Sequence, residues 1–194
     1  PPRPGVKKVL ADVRWYTLKE QLLMPFLLWR EKLDLVHFQH FNVPVFYFGK
    51  FVVTIHDLIL TKHPTQRATT LSPLMYKLKN LAYRLTIGFA LRRADRVIAI
   101  SQFTKNDIIA QFKIDPAKIE VIYEGVAESL LGASDQDDKQ IVLGYNIHRP
   151  YILYVGNAYP HKNLEALIDI FSDIKEKKPD LSLVLVGKED YFYR

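Results

Sequence analysis

Short apolar runs alternate along this chain with longer stretches of helical period, and that alternation predicts an α/β architecture. Lys8–Val13, Leu35–Phe38, Val45–Phe48 and Phe51–Ile55 read as strands, followed by Arg96–Ser101 and Lys118–Tyr123. These runs are rich in Val, Ile and Phe on both faces, as strands covered by helices on both sides must be. Between them, Thr17 offers a helix N-cap and Glu20 completes a capping box for a helix reaching about Lys32, bent or broken at Pro25. A long helix spans Ser72–Arg93, with Leu74, Leu78, Leu81, Leu85 and Phe89 along one side. A shorter one spans Lys105–Phe112, with Thr104 and Asp107 in a capping-box-like start.

The composition then changes. Residues 127–149 form a linker whose first part, Ala127–Gln140, carries Ser129, Gly132, Ser134, Asp135, Asp137 and Asp138 and few large apolar residues. After Pro150 the alternation resumes with a strand at Tyr151–Gly156, a helix at Asn163–Lys177 and a strand at Leu181–Gly187. The expected organisation is therefore a first parallel-sheet domain over residues 1–126, the linker, and the start of a second over residues 150–194.

With 48% hydrophobic and 25% charged residues the chain can bury a core, which excludes a disordered segment. It contains no cysteine, so disulfide scaffolds, thiolate metal sites, iron–sulfur clusters and cysteine nucleophiles are ruled out. The net charge of +6 is local. Arg67, Lys77, Lys79, Arg84, Arg92, Arg93 and Arg96 face one acid in that interval, Asp95, and the rest of the chain is balanced. Such a basic helix suits either an anionic membrane or a nucleic acid, or is simply a solvated face. The apolar stretch Leu22–Trp29 is too short to cross a bilayer, and the N-terminus lacks a basic-then-apolar leader pattern. The expected location is cytoplasmic, with peripheral contact at the inner face of the membrane. Pro1-Pro2-Arg3-Pro4 at one end and Tyr191–Arg194 after an apolar run at the other suggest a piece truncated at both ends.

In an open parallel sheet, ligands bind beyond the carboxyl ends of the strands, so the residues following each strand come first. His56 and Asp57 follow Phe51–Ile55 directly. The imidazole can donate to a sugar hydroxyl or phosphate oxygen, and Asp57 can fix its tautomer or hold a loop amide. The alternative is a histidine satisfied by local backbone, with Asp57 capping the next turn. Gly156-Asn157-Ala158-Tyr159-Pro160-His161-Lys162-Asn163 joins a strand to a helix. Gly156 permits close backbone approach, Asn163 can cap the helix, and Lys162 adds charge beside the free amides of the helix start, a recipe for binding a diphosphate. An ordinary loop with a solvated lysine is the alternative. Ser101 lacks the glycine elbow of a hydrolase and reads as a turn or cap residue. Glu124-Gly125 reads as a solvated acid before a turn glycine. His37 and His40 lie at a strand end without accompanying carboxylates, so no metal site is expected. The aromatic run Phe46–Phe48 has the wrong residue order for an RNA-recognition strand.

Four stretches in register resemble glycosyltransferase family 4, retaining enzymes of the GT-B fold: Val52–Leu58, Ala94–Thr104, Ile119–Val126, and Tyr151–Asn157 with His161-Lys162-Asn163. The resemblance runs from about Lys8 to the last residue. It implies two Rossmann-like domains, an acceptor side and a nucleotide-sugar side, both incomplete in this chain. It further implies catalytic roles for His56 and Asp57 near the transferred sugar, and donor diphosphate binding by Gly156, Asn157 and Lys162. Asn157 stands where many members carry an arginine. The implied activity is metal-independent, retaining transfer from a nucleoside-diphosphate sugar, the substrate rather than a cofactor, to a glycan or lipid-linked acceptor hydroxyl in cell-envelope glycan synthesis. No nucleic-acid partner is expected. The family's glycine-rich first loop should precede Lys8 and its paired glutamates should follow Arg194, so residues 1–194 alone are expected to be inactive. A non-catalytic nucleotide-sugar- or partner-binding remnant of the same fold is the alternative.

Overall fold

The computed structural model describes residues 5–62, 72–128 and 141–188. Most of the expected linker, Arg67 of the basic segment and the terminal Tyr191–Arg194 lie outside them. The described residues form two compact units, one reaching Glu124 and the other beginning at Gly125.

The first unit is built on a parallel sheet in the order β1 (Val36–Phe38), β2 (Phe51–Ile55), β3 (Arg96–Ala99), β4 (Ile119–Val121). Register runs Val36 opposite Phe51, Val53 opposite Val97 and Val97 opposite Ile119. The β-branched runs sit where both faces are covered, so Phe51, Val53, Ile55, Val97, Ala99 and Ile119 have 1% exposure or less. Helices α3 (Pro73–Arg93) and α4 (Gln102–Phe112) supply Ile87, Leu91 and Ile108 to the same core. Asp95 sets the β2–β3 register from both sides: its amide donates to the Phe51 carbonyl at 2.8 Å and its carboxylate accepts the Phe51 amide at 3.1 Å.

The structure departs from the sequence reading at five places in this unit. Residues 8–13 are irregular, and Leu10 is 84% exposed. Strand-like residues become a strand only by pairing, and no described strand pairs with them. Val45–Phe48 is a turn, because the Val45 amide is taken by the Gln21 side chain at 2.7 Å and the Tyr47 amide by the Pro44 carbonyl. The Tyr47 hydroxyl lies 2.3 Å from where a Cβ on Gly49 would be, so any side chain at that position would force the buried Tyr47 ring to shift. Helix α1 (Leu18–Arg30) continues through Pro25, which is buried. Its Thr17 cap forms as read, accepting the Glu20 amide at 3.2 Å, whereas the Glu20 carboxylate bonds the amide of Tyr16, one residue earlier than in a capping box. The N-cap of α4 is Ser101, not Thr104; its hydroxyl accepts the Thr104 amide at 3.1 Å.

Along α3 only Ile87, Gly88, Ala90 and Leu91 are buried. The earlier stripe of Leu74, Leu78, Leu81 and Leu85 faces outward, every member more than half exposed.

In the second unit, β5 (Tyr151–Val155) and β6 (Ser182–Val186) form a parallel pair in register Tyr151 with Ser182, connected through the 14-residue helix α5 (Leu164–Lys177). A short 3-10 turn, Pro160–Lys162, precedes that helix. A 610 Å³ groove lies between residues 141–147 and the ladder, lined mainly by apolar side chains such as Ile141, Leu153 and Val184. Chemistry-bearing residues gather elsewhere.

Candidate functional site

All four strands of the first unit point their carboxyl ends the same way, and each strand end contributes one group around His56. His56 itself follows β2. From the loop after β1, the Gln39 carbonyl lies 2.9 Å from His56 Nε2. After β3, at the start of α4, buried Thr104 donates its hydroxyl to the His56 carbonyl at 3.3 Å. From the loop after β4, Glu124 Oε1 lies 2.9 Å from His56 Nδ1. An imidazole held by a carbonyl on one nitrogen and a carboxylate on the other has a fixed plane. The ring nevertheless stays open to solvent, at 42% side-chain exposure.

Asp57 does not orient the ring. Its carboxylate accepts the Ile59 amide at 2.9 Å and caps the short helix α2 (Ile59–Lys62), the capping alternative raised above. His40 sits near His56 and accepts the Asn42 amide on Nδ1 at 3.4 Å. Burial pushes the His40 imidazole below its usual value, nearby His56 pushes the same way, and Asp57 opposes both. His37 Nε2 bonds the Thr54 hydroxyl at 2.9 Å across β1 and β2, a structural tie. Ser101 caps α4, as described. Among the described residues, no cluster of three His, Asp or Glu is placed to hold a metal ion.

Glu124 is the functional candidate that sequence reasoning missed. Nothing in Tyr123-Glu124-Gly125 distinguishes a solvated acid from a histidine partner, because the link spans 68 residues. The one usable signal was its position just beyond a strand of a parallel sheet. The Gln39 contact comes from backbone and left no trace in residue type.

In the second unit, the loop after β5 folds on itself. The Tyr154 hydroxyl donates to the Asn157 carbonyl at 2.7 Å, and that ring lies so close to Gly156 that an added Cβ would approach its hydroxyl to 3.1 Å. Lys162 ends the 3-10 turn, exposed and without an ion pair among the described residues. Asn163 occupies the N-cap of α5, but in a left-handed conformation (φ 52°) and without a side-chain cap bond, contrary to the expected capping. Side-chain capping requires extended backbone at that position. The first-turn amides of α5 thus have no capping side chain and begin two residues after Lys162. His56 and Asp57 belong to one unit and Gly156, Asn157 and Lys162 to the other.

Residues 2–130 match the family described as Glycosyltransferase Family 4, two thirds of the chain. The chain belongs to glycosyltransferase family 4. Residues 135–194 match the family described as Glycosyl transferases group 1. Among curated relatives, the O-antigen chain mannosyltransferase RfbU of Salmonella typhimurium is 25% identical over 186 residues, covering 94% of this chain and 44% of that protein. The D-inositol 3-phosphate glycosyltransferase of Segniliparus rotundus is 25% identical over 101 residues, covering 52% of this chain and 22% of its own length. This family 4 chain therefore spans less than half the length of these relatives. Its fold is shared with Anabaena HepE, solved in complex with UDP and glucose, at a TM-score of 0.64 and 20% identity, covering 95% of this chain and 48% of that one. A glycosyltransferase from Rickettsia africae superposes at a TM-score of 0.51 with 15% identity, covering 93% and 55% of the two chains. These likenesses establish the Rossmann-like α/β units of the GT-B fold.

Proposed function

We propose that the protein containing this chain transfers a sugar from a nucleoside-diphosphate sugar to an acceptor hydroxyl, with retention of configuration and without a metal ion. The first unit is the acceptor side and the second the nucleotide-sugar side. The observation that carries this reading is the convergence of all four strand ends on His56 within a family 4 chain. An open imidazole held at the carboxyl edge of a parallel sheet is placed to hydrogen-bond a sugar hydroxyl.

In the proposed reaction the anomeric C–O bond to the diphosphate breaks. The acceptor oxygen forms its bond on the same face, and its proton passes to the departing phosphate oxygen. Lys162, with the first-turn amides of α5, stabilises the charge developing on that phosphate, and Gly156 and Asn157 shape the loop beside it. Asp57 acts here through the turn it caps. The complexes of HepE with UDP and with UDP-glucose favour a uridine nucleotide as the first donor to try.

A glycan or lipid-linked acceptor of the cell envelope fits the similarity to an O-antigen mannosyltransferase. The exposed leucine stripe of α3, flanked by Lys77, Lys79 and Arg84, suits peripheral contact with an anionic membrane at its cytoplasmic face. No described helix is long and apolar enough to cross a membrane.

Two substitutions in the protein carrying this chain test the reading. His56→Ala is expected to lower turnover by ~2–4 kcal/mol of barrier while UDP binds as before, because one directed hydrogen bond in the transition state is lost. Lys162→Ala is expected to weaken UDP binding by ~1.5–3 kcal/mol in calorimetry, with Lys162→Arg recovering part of it. Full turnover by a folded His56→Ala variant would remove the catalytic assignment.

A further inference from the structure

His56 has two ring nitrogens and two close acceptors, and the acceptors are not equivalent. The Gln39 carbonyl and the Glu124 carboxylate can both only accept, so the two bonds form together when Nε2 and Nδ1 each carry a proton, the Nε2 proton pointing toward the Gln39 loop. The carboxylate of Glu124 meets Nδ1 at the same distance, 2.9 Å, from the other side of the ring. The proposal rests on the reading of His56 given above. We infer that Glu124 is the positioning residue for His56: its carboxylate clamps Nδ1 and fixes the ring plane, leaving the Nε2 proton free to move from the Gln39 carbonyl to an incoming sugar hydroxyl oxygen.

Three observations support Glu124 in this role over its neighbours. Asp57, adjacent in sequence, has its carboxylate committed to the Ile59 amide at 2.9 Å. His40, the other titratable group close by, takes the Asn42 amide on Nδ1. Thr104 reaches only the backbone carbonyl of His56, so it places the main chain and leaves the ring free to turn. Among the described side chains around the imidazole, Glu124 alone bonds the ring.

The reach of the side chain also matters. Glu124 lies beyond β4, and β3 separates that strand from β2. Adjacent strands are ~4.8 Å apart, so a group after β4 must extend past the end of β3 to arrive at His56. A carboxylate one methylene shorter falls short of the ring. Glutamine has the same reach and can bond Nδ1 through either end of its amide.

Stability does not account for the pair. The two side chains are 42% and 60% exposed, and exposed ion pairs contribute little to folding. Carboxylates that orient a working imidazole from its far nitrogen are, in contrast, a recurrent device, and losing such an orienting partner typically costs about 10–100-fold in function.

The test uses Glu124→Ala, Glu124→Asp and Glu124→Gln, each with circular dichroism to show that the fold is kept. In the 194-residue chain, ring-nitrogen 15N signals of His56 report the bond made by each nitrogen. Glu124→Ala is expected to shift the Nδ1 signal and leave Nε2 nearly in place. An unmoved Nδ1 signal overturns the pairing. In the protein carrying the chain, turnover is read as nucleoside diphosphate released from a panel of nucleotide sugars. The alanine and aspartate variants are expected to lose about 10–100-fold in kcat with little change in donor KM, and glutamine to recover most of it. A kcat equal to the parent's in all three variants, with that of His56→Ala still lowered, overturns the positioning role alone. A fully active His56→Ala takes down the proposed role of His56, and this inference with it.

Discussion

In β2, Phe51-Val52-Val53-Thr54-Ile55 is buried at every position but Val52. In β5, Tyr151-Ile152-Leu153-Tyr154-Val155 is buried at none, and Val155 is 69% exposed. Both strands are short, β-branched and parallel-paired, so residue type accounts for the ladder in each case and not for the burial. Burial comes from layers. β2 has neighbours on both edges and helices from α3 and α4 packed nearby, whereas the described part of the second unit offers β5 one partner strand and one connecting helix. The strand ends differ in the same sense. Those of the first unit are tied to one another through His56, and the loop after β5 is tied to itself through Tyr154 and Asn157.

The sharpest way to break the comparison is to empty one position in each ladder. Phe51→Ala is expected to destabilise the first unit by ~3–5 kcal/mol, the usual cost of truncating a fully buried aromatic. Val155→Ala should stay within roughly 0.5 kcal/mol, as for an exposed position. Trp15 and Trp29, the two tryptophans of the chain, both lie in the first unit, so urea unfolding followed by tryptophan fluorescence reads that unit selectively. A Val155→Ala variant that moves the tryptophan transition as far as Phe51→Ala would show that the two ladders share one cooperative core.

The helix starts give a second, smaller contrast. Ser101→Ala removes a cap bond that is present and should cost ~1 kcal/mol in the same assay. Asn163 makes no cap bond and holds a left-handed backbone, so Asn163→Gly is expected to be neutral or to stabilise by a few tenths of a kcal/mol in a circular-dichroism melt. A loss comparable with that of Ser101→Ala would mean that the Asn163 side chain contributes to α5 after all.

These contrasts also mark what could be read in advance. Strands β1 to β6 and four longer helices were legible because apolar runs and helical period are local, and a cap such as Thr17 is visible in neighbouring residues. Residues 8–13 and 45–48 misled because their composition suits a strand, and only distant partners decide whether one forms. For the second of these the competitor was a side chain, Gln21, that took the Val45 amide. At the site, the position of His56 after β2 was legible, and the carboxylate of Asp57, which the sequence left open between ring and loop, bonds the Ile59 amide of the loop. Glu124 was illegible as a partner, since no local pattern links residues that meet only when β4 has docked.

The smallest expected effect is a pH dependence confined to the first unit. His40 is pushed below 6.5 in the folded chain, by burial first and then by His56. The unfolded chain therefore binds more protons just below that pH, and the first unit should lose stability as pH falls from about 7.5 to about 5.5. His40→Gln should flatten that part of the profile in tryptophan-monitored unfolding and leave the pH 7.5 midpoint nearly unchanged. A steeper loss in the variant than in the parent would reverse the sign and exclude this origin.

The contact between His56 and Glu124 joins residues 68 apart, the longest separation of any described side-chain hydrogen bond. Closing so long a loop carries an entropic cost that shorter contacts do not, so contacts within α4 or between β3 and β4 can form before it. The imidazole is consequently a sensor of assembly order: a chain in which β1 to β3 have paired and β4 has not would still leave Nδ1 facing water. During refolding, the His56 signal should settle last, after the tryptophan and backbone signals of the same unit.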